Sequence, residues 1–154
     1  MDALLEELSR SLPDAHEAAQ VTIRLLAALI AGTVVGLQRE HSHAPAGLRT
    51  HMLVSMGVTL FVFIGLDVGM AHDAQSRMIQ GIATGVGFLG AGAIIKMKDS
   101  LEIHGLTTAA GVWMTAAIGV AIGFGRLGVA AIGVVFAWFV LAIVVKTERH
   151  PRSD

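Results

Sequence analysis

The side chains best able to do chemistry crowd into one segment, GLQREHSHAPAGLRTH, which holds Gln38, Arg39, Glu40, His41, His43, Arg49, Thr50 and His51. His41, His43 and His51 supply three imidazoles, the ligand type that suits zinc and other transition metals. A His-x-His pair in a loop is more often a solvated turn than a metal site, and magnesium would need carboxylates, of which the segment has only Glu40. Glu40 beside Arg39 or Arg49 is expected to fix the loop against the helix ends, and a loop so rich in polar groups is a natural docking surface for a partner. A second polar group, His104 with Thr107 and Thr108, opens an apolar run, and its hydroxyls are expected to cap or pair helices. No nucleophile, base and orienting group fall at a recognisable spacing, so catalytic, cofactor and metal residues are assigned to none, and an enzyme is not expected. The chain has no cysteine, which removes disulfides, thiolate metal sites and a thiol nucleophile.

Gly85, Gly87 and Gly90 spell G-x-G-x-x-G inside GIATGVGFLGAGAI. A dinucleotide site needs a preceding strand, a following helix and an acid about 20 residues on, and none of these contexts is present. The glycines, with Gly81 and Gly92, are instead expected to let neighbouring helices approach closely; the alternative is that they break the helix and turn backbone groups toward a cavity. Arg24 and Asp67 lie inside apolar runs, where a charge costs roughly 2.5 to 3.5 kcal/mol. They are expected either to pair with each other or to snorkel to water, with Asp73 and Arg77 close by.

These residues need elements to position them, and composition sets what those are. Of the 154 residues 54% are hydrophobic, and the mean hydropathy is +0.69. That exceeds what a soluble domain of this size carries. Net charge is −1, leaving no basic stripe for phosphates, so no nucleic-acid partner is expected. Crossing about 30 Å of hydrocarbon takes about 20 helical residues. Runs of that order lie at 18–38, 51–70, 78–97, 106–125 and 127–145, which predicts an all-α transmembrane bundle of about five spans. Gly123, Gly125 and Arg126 leave room only for a tight turn, so the last two spans should be antiparallel neighbours. Trp113 and Trp138 fall within spans and are expected to pack.

The domain is expected over 18–146, after an acidic or amphipathic segment at 1–17, helical over 2–12, and before a short cytoplasmic tail at 147–154. The acidic start MDALLEELSR does not resemble a signal peptide. Lys and Arg near span ends favour the cytoplasmic side. With the amino terminus outside, Arg39, Arg49, Lys96, Lys98, Lys146, Arg149 and Arg152 are cytoplasmic, against Arg10, Arg24, Arg77 and Arg126 outside.

Four segments in order, GLQRE at 36–40, AGLRTH at 46–51, GVGFLGAG at 85–92 and GLTTAAGVW at 105–113, together resemble the MgtC/SapB family, over roughly residues 20 to 125. The resemblance implies a multi-pass protein of the bacterial inner membrane. It also implies links to growth at low magnesium and to virulence and, in the MgtC branch, to restraint of the rotary ATP synthase. That branch usually carries a soluble carboxy-terminal domain, and the present chain is expected to be the shorter form. Motif by motif, the resemblance points to Gln38, Arg39, Glu40, Arg49, Thr50, Arg77, Gly87, Phe88, Gly90, Thr107 and Thr108; Asp67 joins them as the only acid within a span. The function expected is regulation through binding another membrane complex, linked to magnesium homeostasis, with a homo-oligomer plausible from the glycine faces. The alternative is a magnesium or proton transporter or channel, whose ion path would rest on backbone groups.

Overall fold

The computed structural model describes residues 1, 12–96 and 103–144. Among the described residues five α-helices make up the bundle: α1 Ala15–His41, α2 Leu48–Asp67, α3 His72–Gly92, α4 Leu106–Gly123 and α5 Leu127–Phe139. The last continues as one π-helical stretch, Val140–Val144. A two-residue antiparallel ribbon, β1 Ile95–Lys96 with β2 Ile103–His104, stands between α3 and α4. The amphipathic helix expected over 2–12 falls, except for Leu12, outside the described residues, as does the tail at 147–154.

The ends of the helices follow from local chemistry. Asp14 caps α1 by accepting the Glu17 N–H at 2.7 Å, which satisfies one of the free donors of a helix start. At the far end of α2, Gly69 takes a left-handed φ of +70°, and Met70 N–H reaches back to Gly65 O at 3.0 Å. Gly125, with φ +73°, ends α4 the same way, Arg126 N–H donating to Ala121 O at 2.8 Å. Both are glycine-terminated Schellman ends, and the second makes the tight α4–α5 turn that the sequence predicts.

The third helix departs from expectation. It stops at Gly92 rather than running to Met97, and it begins six residues before Met78. Gly90 and Gly92 weaken the helix end, and β-branched Ile95 pairs with His104 in the ribbon instead. Close to the ribbon, Gly105 (φ +96°) leaves no room for a side chain against the Ala93 carbonyl. The helix is continuous through Gly81, Gly85, Gly87 and Gly90, so these glycines do not break it.

Packing centres on α2, which lies against α1 and α4, while α5 closes against α1 and α4 and α3 joins chiefly through α4. One apolar core joins Ala28 and Val35 of α1 to Ile118 and Ile122 of α4 and Ala130 of α5. Another joins Val58 of α2, Val86 of α3 and Val112 of α4. The outer faces are apolar too, with Ile30, Leu53, Phe88 and Phe136 all well exposed. Patches of that extent suit lipid rather than water. Among the described residues three helices, α1, α2 and α4, are long and apolar enough to cross a membrane, and Leu127–Ala142 is a shorter apolar helix. The start of α3, HDAQSRMIQ, is polar.

Candidate functional site

Small residues decide which helices meet, and they are not the ones in the conspicuous glycine run. A Cβ on Gly32 of α1 would stand 2.7 Å from His51 O of α2, and one on Gly36 would stand 2.8 Å from Leu48 Cα. On α4, a Cβ at Gly119 would come within 2.8 Å of Ser55 O, and one at Gly123 within 3.0 Å of Thr59 O. Each pair is spaced four apart, the small-xxx-small arrangement that lets helix backbones touch in a membrane. Among the described residues, Gly81, Gly85, Gly87 and Gly92 of α3 have nothing within 4 Å of their Cβ positions, and only Gly90 faces a neighbour, Ala109. The expectation that the α3 glycines bring helices together inside the bundle thus holds at Gly90 and is corrected at the other four, which α3 shows outward.

Close approach of α1, α2 and α4 seals polar side chains between them. His51, Ser55 and Thr59 follow at intervals of four on one face of α2 and are all buried, as are Arg39 of α1 and Thr108 and Thr115 of α4. Thr59 donates to Gly119 O at 3.0 Å and Thr115 to Gly111 O at 2.9 Å, so those hydroxyls are satisfied by helix carbonyls. Three other polar atoms are not: Arg39 Nε, His51 Nε2 and Ser55 Oγ are buried with no hydrogen-bond partner among the described residues. Arg39 is 3% exposed and His51 0%. Among the described residues the only hydrogen bond of the Arg39 guanidinium is a long one, 3.4 Å, from Nη2 to the Gln38 amide oxygen. His51 has Nδ1 2.9 Å from Gly47 O; the carbonyl can only accept, so Nδ1 carries the proton and a neutral ring presents Nε2 as an acceptor.

Around this cluster, Gln38 Nε2 donates at 2.6 Å to Leu141 O in the π-helical stretch. Glu40 is exposed and accepts the Leu48 N–H at 2.9 Å. It therefore fixes the loop as expected, but through the start of α2 and not through Arg39 or Arg49.

The expected residues thus divide. Gln38, Arg39 and Thr108 belong to the junction of α1, α2 and α4, with Glu40 bracing its edge; Thr50 is half-buried beside His51, and Thr107 is exposed on the α4 side. Arg49 and Asp67 are exposed. Arg77 is exposed and pairs with Asp73 of its own helix at 2.9 Å. Gly87 is exposed and Phe88 is 81% exposed on the outer face of α3. His51 and Ser55 were not singled out as a pair by sequence reasoning, although their spacing of four with Thr59 on an apolar helix was the available signal.

Three further expectations change. Arg24 does not pair with Asp67: Nη1 donates to Gly123 O at 2.7 Å, and the guanidinium lies 5.1 Å from the centroid of the Phe63 ring. The last carbonyls of a helix lack internal partners and carry negative partial charge, so a cation from α1 is well placed there. Trp113 and Trp138 are 52% and 48% exposed rather than packed. The three loop histidines do not converge, since His51 is buried while His41 and His43 are exposed. Among the described residues no group of three or more His, Cys, Asp or Glu could hold a metal.

Comparison with known proteins agrees with this architecture. The chain is 41% identical over 140 residues to Protein SrpB of Synechococcus elongatus, covering 84% of this chain and 77% of that one. It is 39% identical over 132 residues to the Escherichia coli K12 protein YhiD, covering 81% of this chain and 60% of YhiD. To Protein MgtC of Salmonella typhimurium it is 38% identical over 104 residues, 68% of this chain but only 43% of MgtC. No solved structure matches the chain. The model of the MgtC family matches residues 25–150, and with helices long enough to cross a bilayer this multi-pass membrane protein belongs to the MgtC family.

Proposed function

We propose that this protein is a regulator of the bacterial inner membrane, tied to magnesium homeostasis or adaptation to low magnesium, that acts by binding another membrane complex without catalysing a reaction. The observation that carries this reading is the outward face of α3. A groove of about 610 Å³ runs between α2 and α3, lined by Leu53, Gly57, Phe61, Gly81, Gly85 and Leu89 among others, and Phe88 stands out beside it. Small residues beside a groove let a foreign helix approach closely in lipid, where packing rather than hydrophobicity drives association. The magnesium link rests on kinship, since YhiD is named a candidate magnesium transporter. The rotary ATP synthase, implied by the resemblance to the MgtC branch, is a partner to test first. With the amino terminus outside, the Arg39–Arg49 loop faces the cytoplasm, as the distribution of Lys and Arg favours.

The second reading, cation transport, is favoured by the buried stripe His51–Ser55–Thr59, since ionisable groups inside a membrane mark pathways by default. Against it stands the single span acid, Asp67, which is exposed at the end of α2. Magnesium and proton flux in liposomes holding only this protein separates the two. No flux from folded protein, with a membrane complex captured by wild type and lost with Gly85→Leu, supports the regulator. Flux abolished by His51→Ala would replace it with the transporter.

A further inference from the structure

A guanidinium keeps its charge at any working pH and is costly to bury without a counter-charge. Arg39 is buried, yet no carboxylate among the described residues reaches it, and its one hydrogen bond is the long contact to Gln38. His51 lies beside it. Both His51 Nε2 and Arg39 Cδ fall within 4 Å of the point a Cβ on Gly111 would occupy, at 3.5 and 3.8 Å. Three polar atoms here, Arg39 Nε, His51 Nε2 and Ser55 Oγ, want partners that none of the described residues gives them. Such atoms in a native interior call for an explanation.

The surroundings set the charge that would satisfy them. Arg39 brings a fixed positive charge beside His51, and a buried cation with no counter-charge among the described residues favours an anion. Gly111 also lines a cleft of about 270 Å³ between α1, α4 and α5, walled by Val35, Met114, Phe136 and Leu141. The cleft thus shares Gly111, the residue whose missing side chain adjoins Arg39 and His51.

We propose that Arg39 and His51, over Gly111, form a binding site for a small oxyanion, the chemistry shared by inorganic phosphate and the phosphate of a lipid headgroup. Arg39 donates to the oxyanion. His51, with its Nδ1 proton given to Gly47 O, accepts from a hydroxyl of the ligand through Nε2, or donates to it when the ring is protonated. Ser55, one turn further on the same face, serves as either donor or acceptor. The site is independent of the regulator reading, because it concerns what this chain binds alone.

The test uses the full chain, delipidated in a phosphorus-free nonionic detergent, and measures equilibrium binding in two arms: inorganic phosphate, and short-chain phosphatidylglycerol. Two variants accompany wild type. Gly111→Ala adds a methyl at ordinary van der Waals distance from both side chains, so it keeps the fold while filling the space between them. Arg39→Gln removes the charge. One saturable site in wild type is expected, weakened about tenfold or more by Gly111→Ala and lost in Arg39→Gln. Binding in the phosphate arm assigns a free ion, and binding in the lipid arm alone assigns the headgroup. No saturable binding of either probe to folded wild type overturns the site, and so does equal binding by wild type and Gly111→Ala. If Arg39→Gln does not fold, the Gly111→Ala comparison decides.

Discussion

Arg24 and Gly123 are joined across the bundle, the α1 guanidinium donating at 2.7 Å to a carbonyl at the end of α4 while resting over Phe63 of α2. One side chain therefore ties three helices at one end. Arg24→Met keeps much of the aliphatic stem but loses a charged hydrogen bond and the ring contact. The expected loss is about 2 to 3 kcal/mol of unfolding free energy in detergent. Asp67→Asn, at an exposed position, should stay within about 0.5 kcal/mol of wild type. Equal losses in the two variants would mean that the charges act as a pair after all.

Glycines of similar appearance should behave oppositely. Gly36→Ala puts a methyl against the backbone of Leu48, and Gly119→Ala puts one against Ser55 O. Each should destabilise by about 1 to 3 kcal/mol, the usual range for overpacking. Gly85→Ala meets nothing and should stabilise slightly, since alanine is the better helix former by up to about 1 kcal/mol. Denaturant titration of the three variants side by side measures this; a Gly85→Ala as damaging as Gly36→Ala would place the α3 face inside a packed interface.

That contrast also marks what the sequence could disclose. Helix number, the order of the elements and the α4–α5 turn were legible because apolar runs of spanning length and a Gly-x-Gly-Arg break are local signals. Which face of a glycine-bearing helix meets a neighbour is not local. The run GVGFLGAG drew attention by density, yet Gly32 and Gly36, sparser and spaced by four, make the close contact. The extent of α3 was misplaced because apolar Ile94 and Ile95 extend the hydrophobic run, while the backbone leaves the helix at Gly92 to pair with His104. Gln38 and Arg39 were found through their motif. Their division of labour, one bonded to α5 and the other nearly unbonded, depends on helix crossings that no spacing reveals.

Gln38 links the end of α1 to Leu141 O, in the stretch where the last turn of α5 widens. Gln38→Leu removes that donor and should cost about 1 kcal/mol globally. The larger effect is local: amide exchange should accelerate over 137–144 and stay unchanged in α2. Uniform acceleration across the bundle would contradict a local tie.

Glu40 and Gly47 form a single capping device. The Glu40 carboxylate accepts the Leu48 N–H at 2.9 Å, and it does so from the space a Cβ on Gly47 would fill. Glu40→Ala removes the cap, and Gly47→Ala, whose φ of −103° is open to any residue, displaces the carboxylate to the same effect. Each should cost about 0.5 to 2 kcal/mol, the range for losing a helix cap. The double variant should cost no more than the worse single one, because there is only one cap to lose and contacting residues do not add. Strictly additive losses in a double-mutant cycle would show that Gly47 is needed for something other than the Glu40 carboxylate.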